Sequence, residues 1–341
     1  MRQRSSGAMK LGICSLWGTD LSAFRTEIRL ASNLGYELVT VGDSPAGWHD
    51  LYVSLTLASM DAPEAQLAPL VTSPFLRHPI ASANALATLD ELTGGRVALG
   101  LATGGSTVMA IGRAPANQDE IRQEFAALRA LLNGTSTNWD DRPVKPLRFP
   151  RPVPIYYSAF GPKALQLAGE QADGVILFAG QSDMDGLAVR IDAVRTAAIA
   201  AGRDPDAVDI WAVSYVSVRS KREEALADLE AFIAVNAMAF RTPEAMARVP
   251  EEFRGRILEF QSRYDPTEHV VVGGRNVALM KELGLRDFLA RFDTFAGSEA
   301  EATAWLSELE ALGVSTLIAA LPGHADPLSA IKGLAAARNA L

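Results

Sequence analysis

Two short runs of glycine and hydroxyl residues have the composition of ligand-binding turns. Thr103-Gly-Gly-Ser106 follows an apolar run, and its adjacent glycines allow the backbone to approach a planar ring or a phosphate closely. Ser158-Ala-Phe-Gly-Pro-Lys163 follows another apolar run. Its Pro162 suits the first position of a helix whose free amides would bind an anion. Either run could equally be a simple turn, so a ligand site and a structural connection both remain open.

Candidate acid–base groups are few. Of the four histidines, His49 and His324 follow apolar runs, where an imidazole could act as a general acid or base, or make only a structural hydrogen bond. His78 precedes a proline at a predicted helix start and is interpreted as a structural partner of its neighbours. His269 lies in a predicted insertion. Asp43 is interpreted as a carboxylate that contacts a ring or substrate, with capping of the following loop as the alternative.

Aromatic and cationic side chains near the same runs add to a possible ligand site. Trp17, Trp48 and Phe178 could form an apolar box over a ring, although aromatic residues in such folds more often belong to the core. Arg113 is the cation nearest the glycine pair that could reach a phosphate. Cys14 is the only cysteine, lies in an apolar run and is expected to be inert, and no metal site is predicted.

These candidates follow apolar runs because the chain repeats one unit, a short apolar run and then an amphipathic helix, as is typical of parallel βαβ architecture. Eight runs are predicted to be strands, beginning near Lys10, Glu37, Gln66, Arg96, Pro154, Gly174, Asp209 and Val314. Helix starts are predicted from capping residues at Asp20, at Asn117 with Glu120, at Ser220 with Glu223, and at Ser298 with Glu301.

Eight units favour closure into an α/β fold, the (β/α)8 TIM barrel, over an open doubly wound sheet, and the first strand lacks the G-x-G-x-x-G turn of dinucleotide binders. In such a barrel the loops after the strands form the site. Two connections are longer than ordinary barrel loops: residues 133–152, and residues 234–297, interpreted as an insertion between strands seven and eight that covers the mouth. A single domain is predicted over residues 9–341, after a disordered extension at residues 1–8.

Composition excludes several classes of function. The chain has 341 residues, 48% of them hydrophobic, and its net charge of −8 without basic clusters argues against nucleic-acid binding. No apolar run approaches the roughly 20 residues that span a bilayer, and the start lacks a secretory pattern, so a cytoplasmic protein away from membranes is expected. The sequence contains no H-E-x-x-H, G-x-S-x-G or P-loop pattern to support a metalloprotease, serine hydrolase or NTPase.

Longer motifs resemble a known family. Residues 68–79, Ala-Pro-Leu-Val-Thr-Ser-Pro-Phe-Leu-Arg-His-Pro, and residues 87–105, which include Leu-Asp-Glu-Leu-Thr-Gly-Gly-Arg, are similar to the bacterial luciferase-like superfamily of flavin- and F420-dependent oxidoreductases. The nearest branch is methylenetetrahydromethanopterin-reductase-like, where T-N-P-x-x-R-H-P precedes a helix ending in L-D-E-x-S-G-G-R. The run 158–163, with the later Leu167-Ala-Gly and Ala172-Asp-Gly, extends the similarity to about residues 10–218.

The resemblance implies a ring lying across the strand ends, a phosphate bound near residues 158–163, and a non-prolyl cis peptide bond near Leu70-Val71. The cofactor-binding residues predicted in this way are Thr72, Ser73, Thr103, Gly104, Gly105, Ser106, Ser158, Ala159, Gly161, Pro162, Lys163, Phe178, Ala179 and Gly180. The predicted catalytic residues are Asp43, Trp48, His49 and His324. Asp43 and Trp48 keep the spacing that F420-using relatives place beside the reactive ring carbon.

Three departures from the F420-using pattern favour reduced FMN, with F420 as the alternative. Ser44 stands where those relatives often have His, Ser73 where many have Asn, and Gly105 or Ser106 where many have an acidic residue. The leading prediction is therefore an FMNH2-dependent monooxygenase that acts on a small organic substrate and receives reduced flavin from a separate reductase. The alternatives are an F420-dependent reductase that transfers hydride, a non-catalytic flavin-binding barrel, and a barrel hydrolase or aldolase. By resemblance, a homodimer is expected.

Overall fold

The computed structural model describes residues 8–15 and 20–341. The strands are β1 (Lys10–Ser15), β2 (Leu38–Val41), β3 (Gln66–Pro69), β4 (Leu99–Leu101), β5 (Thr137–Trp139), β6 (Arg142–Val144), β7 (Ile155–Ser158), β8 (Gly174–Phe178), β9 (Asp209–Val218), β10 (Thr294–Gly297) and β11 (Thr316–Ala320). The helices are α1 (Leu21–Asn33), α2 (Leu51–Asp61), α3 (Pro79–Thr93), α4 (Ser106–Met109), α5 (Gln118–Leu132), α6 (Pro162–Gln171), α7 (Met184–Ala200), α8 (Arg222–Val235), α9 (Pro243–Ala247), α10 (Glu251–Arg263), α11 (Arg275–Glu282), α12 (Arg286–Leu289), α13 (Glu299–Ala311) and α14 (Pro327–Asn339). The predicted extension 1–8, apart from Ala8, lies outside the described residues, and so does Trp17.

The main sheet has the strand order β3-β2-β1-β11-β9-β8-β7-β4, and β10 pairs with β9. Its two ends meet, because isolated parallel bridges join Leu67 to Val97 and Thr72 to Leu101. Gly100 allows this approach, since a Cβ atom there would lie 2.2 Å from the carbonyl oxygen of Pro69. The strands alternate with helices and form a nearly closed parallel barrel, which confirms the predicted α/β TIM-barrel fold.

The barrel strands are buried on both faces. Every residue of β2, β4, β7 and β11 is buried, as expected for parallel strands covered by helices outside and by packed side chains inside. Cys14 is among the buried residues of β1, where burial raises the pKa of its thiol to about 12. This confirms its predicted place in the core. Among the described helices, none combines the length and the apolar character needed to cross a membrane.

Three of the four predicted helix starts are confirmed. The Asp20 carboxylate accepts a hydrogen bond from the Ala23 amide, and capping boxes form at Asn117 with Glu120 and at Ser298 with Glu301. The prediction at Ser220 with Glu223 is wrong. Lys221 is the cap residue there without a side-chain hydrogen bond, because the Glu223 carboxylate instead accepts a hydrogen bond from Arg286 at 2.7 Å.

The two long connections contain a hairpin, four helices and one further strand. Residues 133–152 include the antiparallel hairpin β5–β6, whose turn residues Asp140 and Asp141 both have positive φ. Residues 234–297 include α9 to α12 and then β10, which pairs in parallel with the second half of β9, from Tyr215 to Val218.

Contacts within the chain divide it into two compact units. The first comprises Met1–Leu177, Ala188–Ala212 and Leu312–Ile318, and the second comprises Phe178–Leu187, Val213–Ala311 and Ala319–Leu341. Most of the predicted site residues belong to the first unit, because they follow β2, β3, β4 and β7.

Candidate functional site

The residues after four strands of the first unit follow one another along one edge of the barrel. Val41 at the end of β2 pairs with Pro69 at the end of β3. The chain continues beyond β3 to Thr72, which bridges Leu101 at the end of β4, and Leu101 pairs in turn with Tyr157 in β7. Register therefore places the four exits beside one another, as the predicted site requires.

Asp43, directly after β2, is the carboxylate at the centre of this edge. Its Oδ2 accepts hydrogen bonds from the Thr72 hydroxyl at 2.6 Å and from Nη1 of Arg77 at 2.5 Å. The side chain is only 2% exposed, so the ion pair with Arg77 compensates a buried charge. No described residue donates a hydrogen bond to Oδ1, which leaves this oxygen available to a ligand. The alternative interpretation, that Asp43 caps its own loop, has no such bond to support it.

The backbone that carries Thr72 is fixed on both sides. Its amide donates to the Gly100 carbonyl at 3.0 Å, and its carbonyl accepts from the Ala102 amide at 2.9 Å. The preceding Leu70-Val71 peptide bond is cis, which confirms the predicted non-prolyl cis bond.

Trp48 lies beside Asp43, whereas His49 makes no contact at this site. A Cβ atom at Gly42 would come within 2.6 Å of the Trp48 ring, so the glycine lets the indole lie against the backbone next to Asp43. His49 is exposed and has no hydrogen bond or ion pair with a described residue. Its predicted catalytic role stays a prediction.

Ser73 and Gly104 form the next part of this edge, a buried hydroxyl beside a glycine turn. The Ser73 hydroxyl is buried and has no hydrogen-bond partner among the described residues. A Cβ at Gly104 would lie 3.2 Å from that of Ser73 and 2.6 Å from Val108, and Gly104 has a positive φ of 78°. Only glycine fits this turn. Thr103 lies just before it, the exposed Gly105 has open space around it, and Ser106 begins α4.

The run after β7 has the arrangement of an anion site. Gly161 is the N-cap of α6 without a side-chain hydrogen bond, Pro162 occupies the first turn, and a Cβ at Gly161 would meet nothing within 4 Å. Lys163 is exposed and makes no ion pair with a described residue. Ser158 and Ala159 are buried just before this turn. A helix start without a side-chain cap and a lysine without a described ion pair suit a phosphate.

Arg113, the predicted phosphate-reaching cation, instead lies over an aromatic ring. Its guanidinium carbon is 4.0 Å from the centre of the Phe75 ring, in the loop after β3. This cation–π contact joins the loops that follow β3 and β4.

Four predicted site residues belong to the second unit. Three of them, Phe178, Ala179 and Gly180, are in contact with other parts of the chain. The amide of Ala179 donates to the Val213 carbonyl. Gly180 allows the backbone of residues 291–293 to pack closely, because a Cβ there would lie 2.8 Å from the Asp293 nitrogen. Phe178 is half-buried and stacks on Tyr215. These contacts are internal to the fold, so the predicted ligand roles of Phe178, Ala179 and Gly180 stay predictions.

His324 has both ring nitrogens occupied by backbone groups. Nε2 lies 3.2 Å from the Val216 carbonyl oxygen, and Nδ1 accepts from the Asp326 amide at 2.9 Å. Burial lowers the pKa of His324 to about 4, so the neutral ring is favoured near pH 7. Both ring nitrogens therefore have structural bonds, and the ring does not change its charge near neutrality.

A cavity of about 490 Å³ opens at the opposite end of the strands, near Gln66, Val97 and Pro154. Its charged groups are paired with one another, Arg129 with Asp173 and Arg151 with Asp90. It is not at the predicted site, and we assign it no ligand.

Arg77 is not among the site residues predicted from the sequence, where it belongs to the R-H-P motif, and the structure places its guanidinium group on Asp43. Together the described residues fit a planar ring with a phosphate: a free carboxylate oxygen, an unpartnered buried hydroxyl, an open glycine turn and an uncapped helix start.

Comparisons with known proteins identify the family and support the fold. The family model described as luciferase-like monooxygenase matches residues 9–316. The 5,10-methylenetetrahydromethanopterin reductase of Methanolobus tindarius is 29% identical over 316 residues, which cover 89% of this chain and 91% of that protein. The solved F420-dependent tetrahydromethanopterin reductase of Methanopyrus kandleri has a TM-score of 0.78 at 22% identity, covering 96% of this chain and 98% of the other. An EDTA monooxygenase from Chelativorans has a TM-score of 0.72 at 15% identity, covering 98% and 94%.

Proposed function

The chain belongs to the luciferase-like monooxygenase family, and on that premise we propose that it is an F420-dependent oxidoreductase. The ring would lie over the exits of β2, β3 and β4, and the phosphate would lie at the start of α6. Bound F420 would supply the hydride chemistry, and the chain would bind, orient and exclude water around it.

One observation carries this proposal: the buried Ser73 hydroxyl has no hydrogen-bond partner among the described residues. At the neighbouring strand exit, Oδ1 of Asp43 has no described hydrogen-bond donor. A buried polar atom without a hydrogen bond is costly, so its presence favours a ligand that satisfies it. Relatives that are similar over most of the chain favour F420 as that ligand, because they are named as a methylenetetrahydromethanopterin reductase, an F420-dependent glucose-6-phosphate dehydrogenase and an F420-dependent tetrahydromethanopterin reductase.

The experiment is a binding titration followed by turnover. Purified protein is titrated with F420, FMN and reduced FMN, and binding is read from the change in cofactor absorbance or fluorescence. Tight F420 binding, with substrate-dependent F420 reduction that does not need oxygen, would support the proposal. Failure of F420 to bind would overturn it.

A second candidate is the FMNH2-dependent monooxygenase supplied by a separate reductase. The specific observation in its favour is the pair Ser44 and Ser73, which replace the His and Asn that F420-using relatives often have. Oxygen consumption with reduced FMN, without F420 binding, would select this candidate. In either case a small organic substrate is proposed, in the space beside Asp43 and Trp48.

A further inference from the structure

Arg77 is the residue on which the position of Asp43 depends most. It lies two residues before α3, and its side chain returns to the exit of β2. The Arg77 side chain is only 20% exposed.

Three groups surround this guanidinium. Nη1 donates to Oδ2 of Asp43 at 2.5 Å, and Nη2 lies 3.5 Å from Oδ2 of Asp50. The guanidinium carbon lies 5.2 Å from the centre of the Tyr52 ring. Burial lowers the pKa of Arg77, but its hydrogen bond to Asp43 and the nearby negative charges outweigh that effect, so the pKa is raised overall and the cation persists.

The two carboxylates that contact Arg77 differ in environment. Asp50 is half exposed and is also the N-cap of α2, where it accepts from two amides. Asp43 is almost completely buried, and its only other described donor is the Thr72 hydroxyl. A buried carboxylate needs a cation far more than an exposed one does, because burial disfavours its charged form.

Both donors to Asp43 bind the same oxygen. Arg77 and Thr72 thus fix Oδ2, and the carboxylate plane is set by these two bonds while Oδ1 remains without a described donor. On the basis of the function proposed above, we propose that Arg77 is a positioning residue: it holds Asp43 by Oδ2 and so keeps Oδ1 as a hydrogen-bond acceptor for the bound ring or substrate.

The first test needs no cofactor. Infrared difference spectra between each protein and its matched Asp43→Asn variant report how the Asp43 carboxyl is hydrogen-bonded. We expect the Asp43 carboxyl bands of Arg77→Met to shift from their wild-type frequencies, because the bond from Arg77 Nη1 to Oδ2 is lost, and those of Arg77→Lys to lie closer to the wild type. Asp50→Asn is the matched control, because it removes the other partner of Arg77 while Asn still caps the helix, and its Asp43 bands should match those of the wild type.

The second test is turnover, with near-ultraviolet circular dichroism to verify that each variant is folded. Arg77→Met should lose at least about tenfold in kcat, because Oδ1 of Asp43 is no longer held in place, and Arg77→Lys should recover part of this loss. Should Arg77→Met fail to fold, the conservative Arg77→Lys replaces it, with a smaller loss in the same direction.

Asp43 bands in folded Arg77→Met that match those of the wild type, or an unchanged kcat, would overturn the positioning role. If the wild type turns over with neither cofactor, the proposed function fails, yet the infrared spectra still decide what Arg77 does.

Discussion

At the scale of single residues, the Ser73 hydroxyl is the atom on which the proposed ligand site depends most. It is buried at the exit of β3 and has no hydrogen-bond partner among the described residues. A buried hydroxyl without a hydrogen bond lowers the stability of the ligand-free protein, and a ligand that bonds to it would remove this penalty.

Ser73→Ala should therefore act in opposite directions on stability and on binding. The free variant should be as stable as the wild type or up to about 1 kcal/mol more stable, because an unsatisfied hydroxyl is removed. Its cofactor affinity should fall by about three- to tenfold, the value of one ordinary hydrogen bond. Thermal unfolding and the binding titration measure the two effects. A variant that loses stability and binds as tightly as the wild type would contradict the assigned role.

Glu124 in α5 is a buried acid that the proposed function does not use. Its Oε2 has no partner among the described residues, and burial raises its pKa to about 8. Between its ordinary value near 4.5 and about 8, the folded state holds a proton that the unfolded state has lost, so stability falls as pH rises through this range.

Glu124→Gln removes this titration. The variant should be more stable than the wild type at pH 8 to 9, and the difference should shrink toward pH 5, because the wild-type carboxyl is protonated in the folded state there. Chemical denaturation at several pH values tests this expectation. A difference that does not depend on pH would show that Glu124 stays charged when buried.

At the scale of elements, capping chemistry and apolar runs were enough to predict most of the barrel. Asp20, Asn117 and Ser298 cap helices as predicted, because their signals are local to a few residues. β10 has only four residues and depends on its pairing with β9, so no local period revealed it. The hairpin β5–β6 turns through two aspartates with positive φ, a weaker signal than Asn-Gly.

Part of the site was also predictable from the sequence, because some of its signals are local to a few residues. Turn glycines and hydroxyls such as Gly104 and Ser73 are visible in the sequence, and the family resemblance indicated their role. The Arg77–Asp43 pair spans 34 residues and depends on how β2, β3 and α3 meet, which no local pattern encodes.

At the scale of elements, a single substitution can test the contact between β3 and β4. Gly100→Ala places a methyl group 2.2 Å from the Pro69 carbonyl oxygen, a backbone atom that cannot move alone. We expect a loss of about 1–3 kcal/mol in the free energy of unfolding, as in other overpacked positions. Gly105→Ala, with nothing within 4 Å, is the stability control. Equal stability of the two variants would contradict the proposed closure.

At the scale of the whole molecule, the outward faces of α2 and α3 form the surface at which we expect two copies to associate. Residues 51–60 and 79–89 contain no charged side chain, although Val53 and Met60 are 58% and 65% exposed. An uncharged surface of this kind suits a second copy of the chain, and we propose a homodimer through it.

Introducing lysines at Val53 and Met60 should convert the dimer to a monomer, because two desolvated charges would face their symmetry mates. Light scattering after size-exclusion chromatography gives the mass. Val189→Lys, at an exposed apolar position on α7, is the control and should leave the mass unchanged. A monomeric wild type would contradict the proposed dimer without affecting the site.

The most direct measurement of the central claim is a crystal structure of the protein with F420 bound. We expect the ring within hydrogen-bond distance of Ser73 Oγ and Asp43 Oδ1, with the phosphate against Gly161 and Lys163. A cofactor in the cavity at the amino ends of the strands, near Arg129 and Arg151, or bound away from Ser73 and Asp43, would contradict the proposed site.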